Sequence, residues 1–198
     1  MYPNSLKNLI ESFKMLPGIG EKTAERMAFF VLNMDEENID FFSESLKNAY
    51  TGLHKCPKCN NITDLEECNI CSAENRDLKQ LCIVDDVRTL YMFEKSNIYK
   101  GLYYVIDNLI SPISGINPED IGLEKLLKFI DSNNFDEVII AIKSNIEGET
   151  TSLYIRRILD GIGLKITRLA SGIPLGADME YIDSLTLEKA MIDRREIE

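Results

Sequence analysis

The stretch CPKCNNITDLEECNIC holds Cys56, Cys59, Cys68 and Cys71 as two CxxC pairs with eight residues between them. Each pair aims two thiolates at one point, and four thiolates suit the tetrahedral preference of Zn²⁺. The competing readings are a redox pair or accidental spacing. With four protein ligands no coordination position is left for substrate, so the spacing predicts one structural zinc per chain, serving folding and rigidity. His54, the only histidine, lies two residues before the first ligand. Four thiolates already fill the shell, so it reads as an exposed or neighbouring side chain and not as a ligand. A single histidine also argues against histidine-based acid–base or triad chemistry. Cys82, within LCIVDD, reads as a small buried hydrophobe.

A second stretch, LPGIGEKTAERM, joins two helical patterns through a proline and two glycines. Gly18 and Gly20 permit a tight turn and close approach to a ligand. The helix that follows offers unpaired N–H groups and the positive end of its dipole. Lys22 stands at that end and Arg26 one turn further along the same face. Such a hairpin grips a DNA phosphate without reading bases; the plain alternative is an ordinary helix connection containing glycine. Residues 1–55 carry six basic residues against eight acidic ones, with Glu21 and Glu25 interleaved with the two cations. Binding is therefore expected to be weak, salt-sensitive and independent of sequence.

Carboxylates form a third group. Asp85 and Asp86 end the apolar run QLCIVDD, Asp107 ends LYYVID, and SNIEGETT places Glu147 and Glu149 after DEVIIAI. Acidic residues at the carboxyl ends of parallel strands are a possible seat for Mg²⁺ in phosphoryl transfer.

These groups need elements to hold them. The patterns predict helices over about residues 4–15, from 21, and over about 37–52, the last with Ile39, Phe42, Leu46 and Ala49 in register. MAFFVL makes the second helix apolar almost all round, which calls for cover from another chain, with Met27 and Phe30 as candidates. After the cysteines, strands 80–86, 102–107, 136–142 and 165–170 alternate with helices, including TTSLYIRRILDGI. This alternation implies a largely parallel sheet with ligand sites at the strand ends. Composition fits a globular chain: 198 residues, 44% apolar, no low-complexity segment. A net charge of −11 argues against tight constitutive binding to nucleic acid. There is no apolar run long enough to cross a membrane and no signal-peptide pattern, so a cytoplasmic location is expected.

The order of these parts, LPGIGEKTAERMAF, the cysteine knuckle, ISPISGINPEDIGLEKL, EGETT and GIPLGADMEYIDSLTL, resembles the RecR family of bacterial recombination mediators over essentially the whole chain. The resemblance implies an α+β multidomain protein. Its parts would be a helix-hairpin-helix domain over 1–53, a four-cysteine zinc module over 54–76, a Toprim-like α/β domain over 77–172 and a Walker-B-like oligomerisation segment over 173–198. It implies a non-catalytic DNA-repair adaptor, a tetrameric ring associated with the nucleoid, working with RecO or RecF to load recombinase onto gapped single-stranded DNA. Gly18, Gly20, Lys22 and Arg26 then match DNA-contacting positions. Asp85 and Glu147 match the partner surface, and Asp183 in MEYID matches the subunit-joining element.

The chain departs from the family pattern in places. Asp85 stands where a glutamate is usual, and Asp107 lacks the second member of the paired DxD. Asn108 and Leu109 replace a glycine and a histidine, and Gly176–Ala177 replaces a double glycine. The first two weaken a catalytic carboxylate set, so Mg²⁺ is not expected. A Toprim-type nuclease or primase using Asp85, Asp107 and Glu147 is the alternative function.

Overall fold

The computed structural model describes residues 2–170, 172–194 and 196. The chain forms two compact units, 1–53 and 54–198. Among the described residues no helix is long and apolar enough to cross a membrane.

The first unit is helical: α1 (Asn4–Lys14), α2 (Glu21–Val31) and α3 (Glu36–Gly52). Leu6, Leu9 and Phe13 of α1 pack with Ile19 around Ile10, Ala24 and Ala28, which are almost fully buried. The small alanines let α1 and α2 approach closely. The α3 helix starts where Asp35 accepts the amide of Asn38 at 2.8 Å, which satisfies a free N–H of the first turn. The register foreseen for α3 is present, but no α3 residue is buried. Phe41, Phe42, Leu46 and Tyr50 all face solvent, as do Phe29, Phe30 and Leu32 near the end of α2.

The second unit opens with a two-stranded antiparallel pair, β1 (His54–Lys55) and β2 (Ile62–Thr63). It continues with β3 (Asp77–Val84), α4 (Val87–Ser96), β4 (Gly101–Val105), α5 (Leu123–Asp131), β5 (Glu137–Ala141), α6 (Ile146–Leu159), β6 (Lys165–Arg168) and α7 (Ser184–Ile192). The four longer strands form one parallel sheet in the order β4-β3-β5-β6. This is the α+β architecture expected. Leu81, Ile83, Val84, Tyr103, Tyr104 and Val138 are sealed in its core. Cys56, Cys59, Cys68 and Ile70 belong to that same core.

Several boundaries differ from the pattern in the sequence. Strands β3, β4 and β6 end at Val84, Val105 and Arg168, two residues before the expected ends, so Asp85, Asp86 and Asp107 follow the strands, and two element starts also move. Strand β3 begins at Asp77, because Asp77 already pairs with Gly101 before the register shifts toward Leu81. Helix α6 begins at Ile146 and not at the threonines, because Asn145 caps it by accepting the Gly148 amide at 2.8 Å. Glu147 and Glu149 therefore sit in the first helical turn. Gly148 is required there, since a Cβ would collide with the carbonyl oxygen of Lys143.

Candidate metal centre and nucleic-acid interface

The sulfurs of Cys56, Cys59, Cys68 and Cys71 all lie within 4.8 Å of one another, the only such group of possible metal ligands among the described residues. The Cys59 and Cys68 sulfurs are 3.5 Å apart. Tetrahedral Zn–S bonds of about 2.3 Å require sulfur pairs separated by roughly 3.8 Å, so the cluster has the right size. Local backbone supports the arrangement. The Cys56 amide donates to Asn61 O at 2.7 Å, Asn60 N–H returns to Cys56 O at 2.9 Å, and Cys68 N–H reaches the Cys56 sulfur at 3.4 Å. Asn60 closes the turn in the left-handed region at φ 61°, which asparagine tolerates better than most residues. The electrostatics favour a cation. The hydrogen bond it shares with Cys68 pushes the Cys59 thiol up and holds Cys68 down, so these thiols do not all ionise without positive charge between them. Zinc is the structural cofactor of this site.

The knuckle is fastened to the edge of the parallel sheet. Val105 N–H donates to Cys59 O at 2.9 Å, and the Asn60 side chain donates to Val105 O at 3.0 Å. Lys55 of β1 pairs with Asp107 beyond the end of β4, and the Tyr91 hydroxyl on α4 reaches Ile62 O at 3.3 Å. His54 is exposed on β1, outside the ligand set. Cys82 is buried in β3, and desolvation pushes its thiol up to about 12.

In the hairpin, Gly18 takes φ 82°, a conformation that glycine adopts without strain, and Gly20 precedes α2 in extended conformation. No side chain caps α2 at Gly20, so its first amides stay available. Lys22 and Arg26 are both exposed. The acidic neighbour Glu21 is drawn away: Lys14 pairs with it at 2.6 Å and with Glu11 at 2.8 Å, and those two hydrogen bonds raise the Lys14 ammonium above its ordinary value. Among the described residues neither Lys22 nor Arg26 has an ion-pair partner. Lys14 is the residue that motif reasoning missed, although its spacing to Glu11 was visible.

The carboxylates at the strand ends do not converge; Asp85, Asp107 and Glu147 form no ligand group. Asp107 is engaged by Lys55. Glu147 accepts the Ser111 hydroxyl at 2.6 Å, and Thr151 accepts the Ile110 amide at 2.9 Å, so α6 holds the loop that begins ISPISG. Glu149 binds Arg168 and Lys189, each at 2.8 Å, which ties α7 to the end of β6. Asp86 caps α4 by accepting Arg88 N–H at 2.8 Å. Asp85 remains on a cavity of about 500 Å³ shared with Lys143, Glu149, Arg168 and Lys189. Asp183 caps α7, accepting the amide of Thr186 at 2.9 Å and its hydroxyl at 2.7 Å. Met27 is half-buried and Phe30 is 68% exposed. No spacing rule pointed to Lys55 or Ser111, because each meets its partner only through the tertiary fold.

Comparison with protein families matches this arrangement segment by segment. Residues 6–50 match the RecR helix-hairpin-helix family, residues 53–73 the RecR four-cysteine zinc finger domain, residues 79–170 the Toprim domain and residues 172–195 the RecR C-terminal family. These segments follow one another along nearly the whole chain and coincide with the hairpin, the thiolate cluster, the parallel sheet and the α7 segment. The chain belongs to the RecR family of recombinational repair proteins.

Proposed function

We propose that this protein is a non-catalytic DNA clamp and adaptor. It would form a tetrameric ring in the cytoplasm and work with RecO or RecF to load recombinase onto gapped single-stranded DNA. The observation that carries the reading is the pairing of Lys14 with Glu21. It engages one of the carboxylates that flank Lys22 in sequence, beside two exposed cations one helical turn apart and the uncapped amides of α2. Gly18 and Gly20 bring the backbone to a phosphate, and Lys22 and Arg26 neutralise it.

Two cations bind weakly, and a ring makes weak contacts sufficient. Four hairpins facing one strand raise each other's effective concentration, and enclosure retains DNA that no single hairpin would hold. A closed tetramer of this kind needs two different self-complementary contacts on each subunit. The first unit offers one: a groove of about 470 Å³ lined by Phe13, Met27, Phe30, Val31, Met34 and Phe42 together with Arg26, so the proposed subunit contact and the proposed DNA contact adjoin on α2. The second candidate is the α7 segment after Asp183, where Leu185, Met191 and Ile192 are exposed. Asp85, just after β3, and Glu147, in the first turn of α6, are assigned to the RecO or RecF surface.

The test is DNA binding across a salt series, with and without RecO or RecF, with particle mass measured on the same samples. A tetramer that binds weakly and steeply with salt, and more tightly with its partner, is the expected result. Tight binding by a monomer refutes the clamp.

A further inference from the structure

A groove of about 560 Å³ lies between the zinc knuckle and α5, with three lysines and no carboxylate among its lining residues. In a chain with 33 acidic and 22 basic residues this is an unusual local balance. Lys58 stands at the knuckle end, where it pairs with Glu67 at 2.8 Å. Lys125 and Lys128 stand one turn apart on α5, and neither has an ion-pair partner among the described residues. Leu78, 58% exposed, contributes apolar surface between these walls.

We infer that this groove docks an acidic peptide segment of another protein, with carboxylates on Lys125 and Lys128 and one apolar side chain against Leu78. The lysine wall supplies charge complementarity to such a segment, and lysine ammonium groups donate to carboxylates in many geometries. A nucleic-acid strand fits less well. Sequence-tolerant binding of bases relies on exposed aromatic faces, and the one aromatic ring in the lining, Phe129, is buried. The groove belongs to the second unit and shares no residue with the hairpin, so this inference does not depend on the DNA-binding reading.

The test uses the full-length zinc-bound protein and a short fluorescein-labelled peptide in which aspartates alternate with leucine and phenylalanine, read by fluorescence anisotropy. Saturable binding is expected, weakened about tenfold by the double substitution Lys125→Glu and Lys128→Glu. Neither lysine is buried, so the variant keeps its fold; unchanged zinc content and melting temperature check this. Leu78→Ser is expected to weaken binding of this peptide but not of a variant peptide with serine at its apolar positions. Lys22→Ala is expected to leave peptide binding unchanged. Equal affinity of wild type and the α5 double variant overturns the inference. So does binding of labelled oligothymidine, but not peptide, that the same double substitution abolishes.

Discussion

The amide of Val105, at the end of strand β4, donates to the carbonyl oxygen of Cys59 at 2.9 Å. A turn that carries a metal ligand thus pairs the amide and carbonyl of the last residue of the edge strand β4. An uncovered edge exposes unpaired backbone groups and invites pairing with other chains. Loss of zinc is therefore expected to reach beyond the knuckle.

The α/β unit should lose stability with the metal. Strong chelation, or Cys59→Ser, is expected to cost at least about 3 kcal/mol, which for a unit of this size lowers the melting temperature by roughly 10 °C. Scanning calorimetry with and without chelator reads this directly. A second unit that melts unchanged after zinc loss would show the knuckle to be an appendage.

Replacing Lys22 or Arg26 by alanine should weaken DNA binding at every sequence and reduce the salt slope by about one unit per lost contact. Lys14→Ala carries a less obvious prediction. It releases Glu21 beside Lys22, so DNA binding should fall on the order of threefold at low salt and recover toward wild type near 1 M, where screening lengths are about 3 Å. Filter binding over a salt series separates the cases; unchanged affinity in Lys14→Ala would show that Glu21 does not matter.

The Lys189 ammonium, with the Arg168 guanidinium, holds the Glu149 carboxyl below its ordinary value of 4.5. The folded form binds this proton less readily than the unfolded chain, so the contribution is complete above the unfolded value and is lost as pH falls from about 4.5 through the lower folded value. Glu149 and Lys189 are both partly exposed, so the pair contributes about 1 kcal/mol or less. Hydrogen exchange should show α7 losing protection in mild acid ahead of the parallel sheet. Glu149→Gln should remove most of that pH dependence.

The hydrogen bond from Ser111 to Glu147 predicts that Glu147 positions the loop it holds, in addition to the proposed contact of its carboxylate with RecO. Ser111→Ala should therefore weaken RecO binding in the same direction as Glu147→Ala, by about 1 kcal/mol, without altering the carboxylate itself. Calorimetric titration of each variant with RecO decides. Full affinity in Ser111→Ala combined with loss in Glu147→Ala would assign the carboxylate to direct contact alone.

Phe30→Glu places a charge in the apolar groove of the first unit and should reduce particle mass below that of a tetramer, as read by light scattering. An unchanged mass would move that subunit contact elsewhere.

Features that depend on near neighbours were legible in the sequence alone. Two CxxC pairs specify a thiolate site because four sulfurs on short tethers converge wherever the chain goes. The hairpin glycines and the repeating strand and helix patterns specify local backbone for the same reason. The remainder came from the folded chain, since charges find partners across long separations along it. Lys55 reaches Asp107 from 52 residues away, and Lys189 reaches Glu149 from 40. The carboxylates that looked alike as strand-end residues were thereby divided among a lysine pair, a loop staple and a tie to α7. Helix α3 shows the converse: its apolar register is plain in the sequence, yet none of its residues is buried. Periodicity identifies the face that would favour cover, while the surrounding chain decides whether that cover is present.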